Sequence, residues 1–203
     1  MQLNFSNLSV AERYHLMTQT IIPRPIAWVL TASGENINDD NYNLAPFSYF
    51  TGIGTEPPLL MIAVSKKPDG TLKDTLINVL KNKKMVIHIP SDKQADLVTQ
   101  TSAPLAHGES EIKNASLNTT PLGDFELPRL EECDVAYGCE LYETKEIGDS
   151  PQTLIFAEIK TIYINEAVLN TDKPERIDIA ADKVNPLARI GGGQYTGSTK
   201  PFK

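Results

Sequence analysis

The residues best suited to chemistry lie between Ser65 and Thr75. Ser65 ends an apolar run and is followed by two lysines, while Lys73 and Thr75 stand where a helical pattern begins. Hydroxyl groups, ammonium groups and a helix N-terminus are the groups that hold a phosphate monoester. The alternative is a solvated loop with Thr71 as the N-cap of the helix. The spacing alone favours this alternative.

A second candidate region is the segment 43–48, with the sequence Asn-Leu-Ala-Pro-Phe-Ser. Pro46 has no N–H to donate to a sheet, so this strand is predicted to be an edge strand or to be bulged there. A break of this kind frees backbone groups to face a ligand, for example the donors and acceptors along one edge of a flavin ring. The alternative, a bulge with Phe47 and Tyr49 in packing, is at least as well supported by these residues alone.

The remaining reactive side chains form no recognisable catalytic or metal-binding pattern. His15, His88 and His107 are isolated in the sequence, so we expect them to be structural or surface residues. Cys133 and Cys139 lie about 20 Å apart if their run is one strand, which is too far for a disulfide. Their spacing also fits no common zinc site, so both are predicted to be core thiols of a reducing cytoplasm.

Two further side chains leave alternatives open. Arg24, between two prolines, could bind phosphate or be solvated in a loop. Trp28, the only tryptophan, could lie near a flavin, but its apolar strand makes a core position more common.

Composition excludes several classes of protein. The 203 residues carry a formal net charge of -7, which argues against a nucleic-acid partner because phosphate binding needs a basic face. No run of about 18 apolar residues predicts a membrane span. The first residues lack the pattern of a signal peptide, so we expect a cytoplasmic protein.

The periodicity predicts mainly strands with a few helices, in one domain over residues 1–203. A capping box at Ser9 predicts a helix ending near Thr18, and a second at Ser91 predicts a helix to about Gln100. A third helix is predicted over 71–83, with Leu80 in its apolar stripe. Strands are predicted at 26–31, 42–51, 59–64, 85–89, 133–141 and 153–165. The core is expected at about 20–165, with an irregular excursion at 101–130 holding at most one short strand or helix, a turn-rich loop at 33–41, and a tail at 166–203.

Taken in order, these pieces resemble one known family over nearly the whole chain. The segments PRPIAWV, NLAPFSYF, EPPLLMIAVS, KDTLINV, GESEI, IFAEI and LARIGGGQY are similar to those of the flavin reductase-like family of FMN-binding split barrels. The resemblance implies a mainly β fold with peripheral helices, a six-stranded antiparallel split β-barrel. It also implies a homodimer with FMN near the subunit interface.

The resemblance assigns roles to residues at matching positions but names no catalytic residue. The phosphate of FMN would be held by Ser65, Lys73 and Thr75. The ring and the ribityl chain would be lined by Asn43, Leu44, Ala45, Pro46 and Ser48, with Thr31 close by. Arg189 and Tyr195 are expected near a site, either of the same subunit or of its partner.

One departure from the family separates two predicted functions. Two-component flavin reductases of this family commonly have Gly-Asp-His, and its histidine is associated with the nicotinamide; here the residues are Gly148, Asp149, Ser150 and Pro151. We predict an FMN-dependent oxidoreductase that takes electrons from a donor such as NADH or NADPH. The alternative is an electron carrier that keeps FMN as a prosthetic group and exchanges electrons with a redox partner protein. A barrel without flavin, used for protein interaction, is the third hypothesis.

Overall fold

The computed structural model describes residues 1–34, 41–106, 109–149, 152–172 and 175–197. In these ranges the α-helices are α1 (Val10–Thr20), α2 (Asp74–Asn82), α3 (Ala95–Gln100), α4 (Glu111–Asn114) and α5 (Ala181–Val184). The first six strands are β1 (Arg24–Pro25), β2 (Ala27–Ala32), β3 (Tyr42–Phe47), β4 (Phe50–Thr55), β5 (Pro58–Val64) and β6 (Lys84–Ile89). The later strands are β7 (Thr119–Leu122), β8 (Phe125–Leu130), β9 (Val135–Ile147), β10 (Gln152–Ile164), β11 (Ala188–Gly191) and β12 (Gln194–Thr196). The prediction of a mainly β fold with peripheral helices is confirmed.

One antiparallel sheet forms the centre of the molecule. Within the described ranges it has seven strands in the order β3-β2-β6-β9-β10-β5-β4. Its edge strand β3 also contacts β5, so the sheet curls back on itself. The strand number exceeds the predicted six because the run 42–51 bends at Ser48 and Tyr49. After the bend, the carbonyl of Tyr49 accepts from the amide of Ala63 at 2.9 Å, and β4 pairs with β5.

Strand β2 explains why the sheet forms the core. All six of its residues are buried. Trp28 and Leu30 pack in one apolar cluster, while Ala27 and Val29 pack in another on the opposite face. A strand covered on both faces reads as a continuous apolar run, as this one does.

The capping boxes were predicted correctly. At the start of α1, Ser9 and Glu12 bond reciprocally, and Ser91 and Gln94 do the same before α3. The start of α2 was predicted wrongly. Thr71 is not its N-cap, because the backbone N–H and the hydroxyl of Thr71 both donate to Asp69 Oδ1. The helix begins at Asp74 instead, after an N-cap at Lys73.

The predictions for Leu80 and for the segment 101–130 were also wrong. Leu80 is 39% exposed because it lies off the face of α2 that packs on the sheet. The segment 101–130 contains α4 and the hairpin of β7 and β8. Gly123 provides the positive φ of 54° that its tight turn requires. The hairpin packs closely on β9, since a Cβ at Gly138 would lie 3.0 Å from the ring of Phe125.

A small second sheet carries the C-terminal part of the described chain. Its strand order is β1-β11-β12, and α1 packs against β11. In its register, Arg189 of β11 lies opposite Arg24 on one side and Tyr195 on the other. This sheet therefore brings the tail to the same end of the molecule as α1. The predicted turn-rich loop at 33–41 lies largely outside the described residues.

Candidate functional site

A cavity of about 840 Å³ opens where the two sheets meet α1 and α2. This volume is in the range that small-molecule and cofactor sites occupy. It is lined by residues of β3 and the bend after it, the end of β5, the start of α2, α1, α4, β11 and the loop 101–105.

Most residues predicted for the site line this cavity. They are Asn43, Ala45, Pro46, Ser48, Ser65, Lys73 and Thr75. Thr31 and Leu44 do not line it. The hydroxyl of Thr31 is buried beneath α2, where it accepts from Asn78 Nδ2 at 3.0 Å. The side chain of Leu44 is in the core, while its backbone N–H faces α4.

A buried pair of polar side chains joins β3 to α2. Asn43 Nδ2 donates to Thr75 Oγ1 at 3.0 Å, and the two residues are only 4% and 2% exposed. Since the oxygen of Thr75 accepts this bond, the hydroxyl proton of Thr75 is left to donate. Both residues line the cavity, so that proton is available to an acceptor inside it.

The start of α2 presents positive charge to the cavity. No side chain caps this helix, and its N-cap residue is Lys73. Burial lowers the pKa of the Lys73 ammonium, and the nearby charge of Lys67 lowers that pKa further. Within the described residues no carboxylate forms an ion pair with Lys73, whose Nζ lies 5.6 Å from the centre of the Phe47 ring. A bound anion would favour the charged ammonium and would therefore raise this pKa again.

Acidic groups also line the cavity, and two of them are engaged locally. Asp74 forms an ion pair with Lys67 at 2.9 Å. Asp69 accepts two hydrogen bonds from Thr71. Lys67 is therefore largely neutralised, whereas Lys73 keeps its charge for a ligand.

Glu111 is a cavity residue that the sequence reasoning did not name. Its Oε2 accepts from the backbone N–H of Leu44 at 2.9 Å, and the preceding Ser110 hydroxyl donates to the carbonyl of Tyr42 at 2.6 Å. These two side chains cover the open edge of β3. Burial is the main effect that raises the pKa of the Glu111 carboxyl. The segment GESEI, which contains Glu111 and carried part of the family resemblance, could have indicated this residue.

Arg189 lines the cavity of its own chain, together with Tyr14 and Thr18 of α1. The guanidinium of Arg189 donates from Nη2 to Tyr195 Oη at 3.1 Å. The sequence reasoning placed Arg189 and Tyr195 near a site without deciding which subunit. It missed Tyr14, Thr18 and the loop 101–105 because only the folded chain brings them to the other segments.

Trp28 and Arg24, for which the sequence allowed either a ligand-binding or another role, have structural roles. Trp28 is fully buried and donates from Nε1 to Thr101 Oγ1 at 2.9 Å. Arg24 is buried and donates from Nη1 to the carbonyl of Ile21 at 2.9 Å and to that of Thr18. It therefore caps the end of α1 and does not line the cavity.

The described histidines and the cysteines are also structural or lie on the surface, as predicted. His88 is buried; its Nε2 accepts from the amide of Leu130 at 2.9 Å, so its Nδ1 donates to the carbonyl of Trp28 at 2.9 Å. Burial lowers the pKa of His88 to about 4. His15 is exposed, and Cys133 and Cys139 are buried free thiols. His107 and Ser150 lie outside the described residues.

The described ranges hold neither a cluster suited to a metal ion nor a helix that could span a membrane. No group of three or more histidine, cysteine, aspartate or glutamate side chains there could hold a metal ion. No helix in those ranges is long and apolar enough to cross a membrane.

The chain is similar to known proteins over almost its full length. An uncharacterized protein of Aquifex aeolicus (strain VF5) is 34% identical over 182 residues, which cover 90% of this chain and 88% of the relative. The crystal structure of nitrilotriacetate monooxygenase component B from Bacillus cereus matches with a TM-score of 0.89 at 28% identity, covering 100% of this chain and 98% of that one. The 2-nitrobenzoate 2-nitroreductase NbaA of Pseudomonas fluorescens matches with a TM-score of 0.86 at 27% identity, covering 100% and 94%.

The family model for the flavin reductase like domain matches residues 17–187. That range includes every strand of the central sheet and nearly all of the cavity. The predicted family and the predicted split-barrel fold are therefore confirmed, and the chain belongs to the flavin reductase-like family.

Proposed function

We propose that the protein is an FMN-dependent oxidoreductase that passes electrons from a reduced donor through bound FMN. The observation that carries this proposal is the corner where Lys73, Thr75 and the uncapped start of α2 meet in one cavity. The solved relatives above 25% identity support redox chemistry, since they are named as a monooxygenase component and a nitroreductase.

The donors at this corner fit a phosphate monoester. Lys73 supplies a charge that no described carboxylate neutralises, and the buried Thr75 retains a hydroxyl proton to donate. The N-terminal end of α2 adds the positive end of the helix dipole, which favours an anion there. Ser65, at the end of β5, adds a second hydroxyl at the cavity wall. We assign the phosphate of FMN to this corner.

The edge of β3 fits the flavin ring. In an antiparallel edge strand, alternate residues turn both backbone polar groups away from the neighbouring strand. Because the N–H of Leu44 faces α4 and not β2, the carbonyls of Leu44 and Pro46 face the same way. The missing N–H of Pro46 therefore removes no hydrogen bond between β3 and β2. The carbonyls of Leu44 and Pro46 face away from β2 and can accept from the edge of a flavin ring. Bound flavin supplies the electron chemistry, while these residues bind and orient it.

We also propose that the protein is a homodimer of the cytoplasm. Helix α1 has no buried residue, yet Val10, Tyr14 and Met17 form one apolar stripe along it, and Ile21 continues this stripe just past the end of the helix. A helix this short is marginal unless its apolar face is covered. A second copy would cover the stripe, and since Tyr14 lines the cavity, that copy would lie beside it. The buried free thiols suit a reducing compartment.

The proposal is tested with purified protein loaded with FMN and freed of excess flavin. We expect a retained flavin absorbance band with one FMN per chain. A protein that stays colourless after this treatment would contradict flavin binding and favour a barrel that serves another role.

The missing histidine at Ser150 favours a second candidate, an FMN-containing electron carrier that does not turn over NADH or NADPH by itself. Anaerobic mixing of the FMN-loaded protein with NADH and with NADPH separates the two functions. Rapid bleaching of the flavin band supports the oxidoreductase. A band that bleaches only with a chemical reductant or a reduced protein partner supports the carrier.

A further inference from the structure

The half-buried Arg189 is held in place at the cavity wall without a carboxylate partner among the described residues. Its guanidinium donates to Tyr195 Oη at 3.1 Å, and its central carbon lies 5.1 Å from the centre of the Tyr195 ring. The Tyr195 hydroxyl is also hydrogen-bonded to Thr99 Oγ1 at 3.0 Å, which fixes the tyrosine in turn. An arginine held by a neutral phenol keeps its full charge and most of its five N–H donors for another partner.

The surroundings of Arg189 leave its charge unbalanced. Within the described residues, no carboxylate forms an ion pair with it. Its cross-strand neighbour is a second cation, Arg24, and like charges directly opposite each other destabilise a sheet. Arg24 cannot serve as a partner for the cavity, because it is buried against the end of α1. The Nε of Arg24 is itself buried without an acceptor among the described residues. An anion near these two arginines would offset this repulsion.

The wall around Arg189 suits a planar ligand. Tyr14 and Tyr49 both line this cavity. Burial raises the pKa of the Tyr49 phenol, and the nearby Tyr14 raises that pKa further. The hydroxyls of Thr18 and Ser102 line the cavity as well. Aromatic rings with a few fixed polar groups and one arginine are the usual surroundings of a flat anionic molecule.

Arg189 belongs to different elements from those that we assign to FMN. The proposed phosphate corner lies on β5 and α2, whereas Arg189 lies on β11, beside α1. From this separation we infer that Arg189, fixed by Tyr195, binds the carboxylate or phosphate group of a second, planar redox substrate. A nicotinamide donor bound there would give a hydride to oxidised flavin and leave in its oxidised form, whereas an acceptor bound there would take two electrons from reduced flavin and its protons from water. The inference rests on the proposed function, because it requires flavin in the same cavity.

The experiment begins with the affinity for FMN. Wild type and the variants Arg189→Met and Arg189→Lys are titrated with FMN, and we expect dissociation constants within about twofold of one another, since the phosphate corner is untouched. A wild-type chain that does not bind FMN would overturn the proposed function. A loss of affinity for FMN, with unchanged affinity for riboflavin, in Arg189→Met would overturn the inference alone, because Arg189 would then hold the phosphate of FMN.

The second step measures the anionic substrate on FMN-loaded protein. Benzoate and its neutral analogue benzamide are titrated by the change in flavin absorbance, and the rate of flavin reduction is measured against NADH and NADPH concentration. If the anion is a carboxylate, Arg189→Met lowers the affinity for benzoate at least about tenfold and leaves the affinity for benzamide unchanged. Arg189→Lys restores part of the lost affinity for benzoate. If it is a dinucleotide phosphate, the same loss appears for NADH or NADPH and not for benzoate.

Arg129 provides the matched control. Its guanidinium also stacks on a tyrosine, 3.5 Å from the centre of the Tyr163 ring, but it does not line the cavity. Arg129→Met should leave every one of these affinities unchanged. Equal affinities of wild type and Arg189→Met for all probes, or no binding of any probe to wild type, would overturn the inference.

Discussion

The cavity has two walls that are built in different ways. The wall of β3, β5 and α2 is interlocked: Asn43 and Thr75 are almost fully buried and hydrogen-bonded to each other. The wall of α1 and β11 is open, because Tyr14 is 61% exposed and α1 buries none of its residues. Each wall carries one cation without a described carboxylate partner, Lys73 on the first and Arg189 on the second.

This difference indicates that one wall suits a cofactor that stays bound and the other suits a substrate that enters and leaves. A cofactor that stays bound needs donors fixed in advance, which lowers the entropy lost on binding. The interlocked wall offers such donors. A substrate that must enter and leave needs an accessible wall, and the open wall provides it. A second copy of the chain on α1 would partly close that wall.

The largest expected effect concerns His88 in the core beside β2, the strand that pairs with β3 of the interlocked wall. His88 ties β2 to β8, and its pKa of about 4 is below its ordinary value of 6.5. The unfolded chain therefore binds a proton that the folded chain does not. The stability due to neutral His88 is present above about pH 6.5 and is lost as the pH falls towards 4. This loss reaches about 2 kcal/mol at pH 5 and about 3 kcal/mol in full.

Denaturant unfolding between pH 7 and pH 5 measures this effect, in a range where few carboxylates titrate. The exposed His15 gives the control, since His15→Gln should leave the dependence of the unfolding free energy on pH unchanged. His88→Gln should reduce that dependence. A wild-type unfolding free energy that does not change between pH 7 and pH 5 would contradict this role of His88.

The next effect separates the phosphate corner from the rest of the cavity. Thr75→Val removes the hydroxyl and keeps the shape, so FMN should bind more weakly by about 1–3 kcal/mol, or roughly 5- to 150-fold. Riboflavin lacks the phosphate and should bind wild type and variant alike. Thr75→Ser keeps the hydroxyl and is the matched control. Titration by flavin fluorescence gives all the affinities, and an equal loss for riboflavin and FMN would place the phosphate elsewhere.

That Ser65, Lys73 and Thr75 line one cavity with residues of the segment 43–48 could be predicted from the sequence through the family resemblance, whereas their spacing alone favoured a solvated loop. The segments 43–48 and 65–75 lie on β3 and on the stretch from the end of β5 into α2, and the residue types of the second segment suit a phosphate. The N-cap was mispredicted because two residues upstream, Asp69 offers Thr71 a local acceptor. Competition of this kind between short side chains is not decided by helix propensity.

The open wall could not be predicted in the same way. Tyr14, Ser102 and Arg189 come from three distant segments, and only the pairing of β1 with β11 brings the tail to α1. Glu111 was missed because prolines and glycines made its segment resemble an irregular loop. Pro121 and Pro128 are tolerated in that segment because they lie in a two-stranded hairpin that is not hydrogen-bonded into the central sheet.

The smallest expected effect is confined to α1 and concerns the proposed dimer. The double variant Val10→Glu/Met17→Glu places two charges on the exposed apolar stripe and should prevent a second copy from covering it. Light scattering should then give the mass of one 22.4 kDa chain, where the wild type gives twice that mass. The neighbouring Ala11 is exposed but lies off the stripe, so Ala11→Glu should remain dimeric. A monomeric wild type would contradict the proposed dimer.

The central claim is that the interlocked wall holds FMN for electron transfer. The most direct test is the absorbance spectrum of the purified protein after loading with FMN and removal of the excess, recorded before and after anaerobic addition of NADH. We predict a protein-bound flavin band that is retained on the column and is bleached by NADH. A protein without any flavin band after loading would contradict the account.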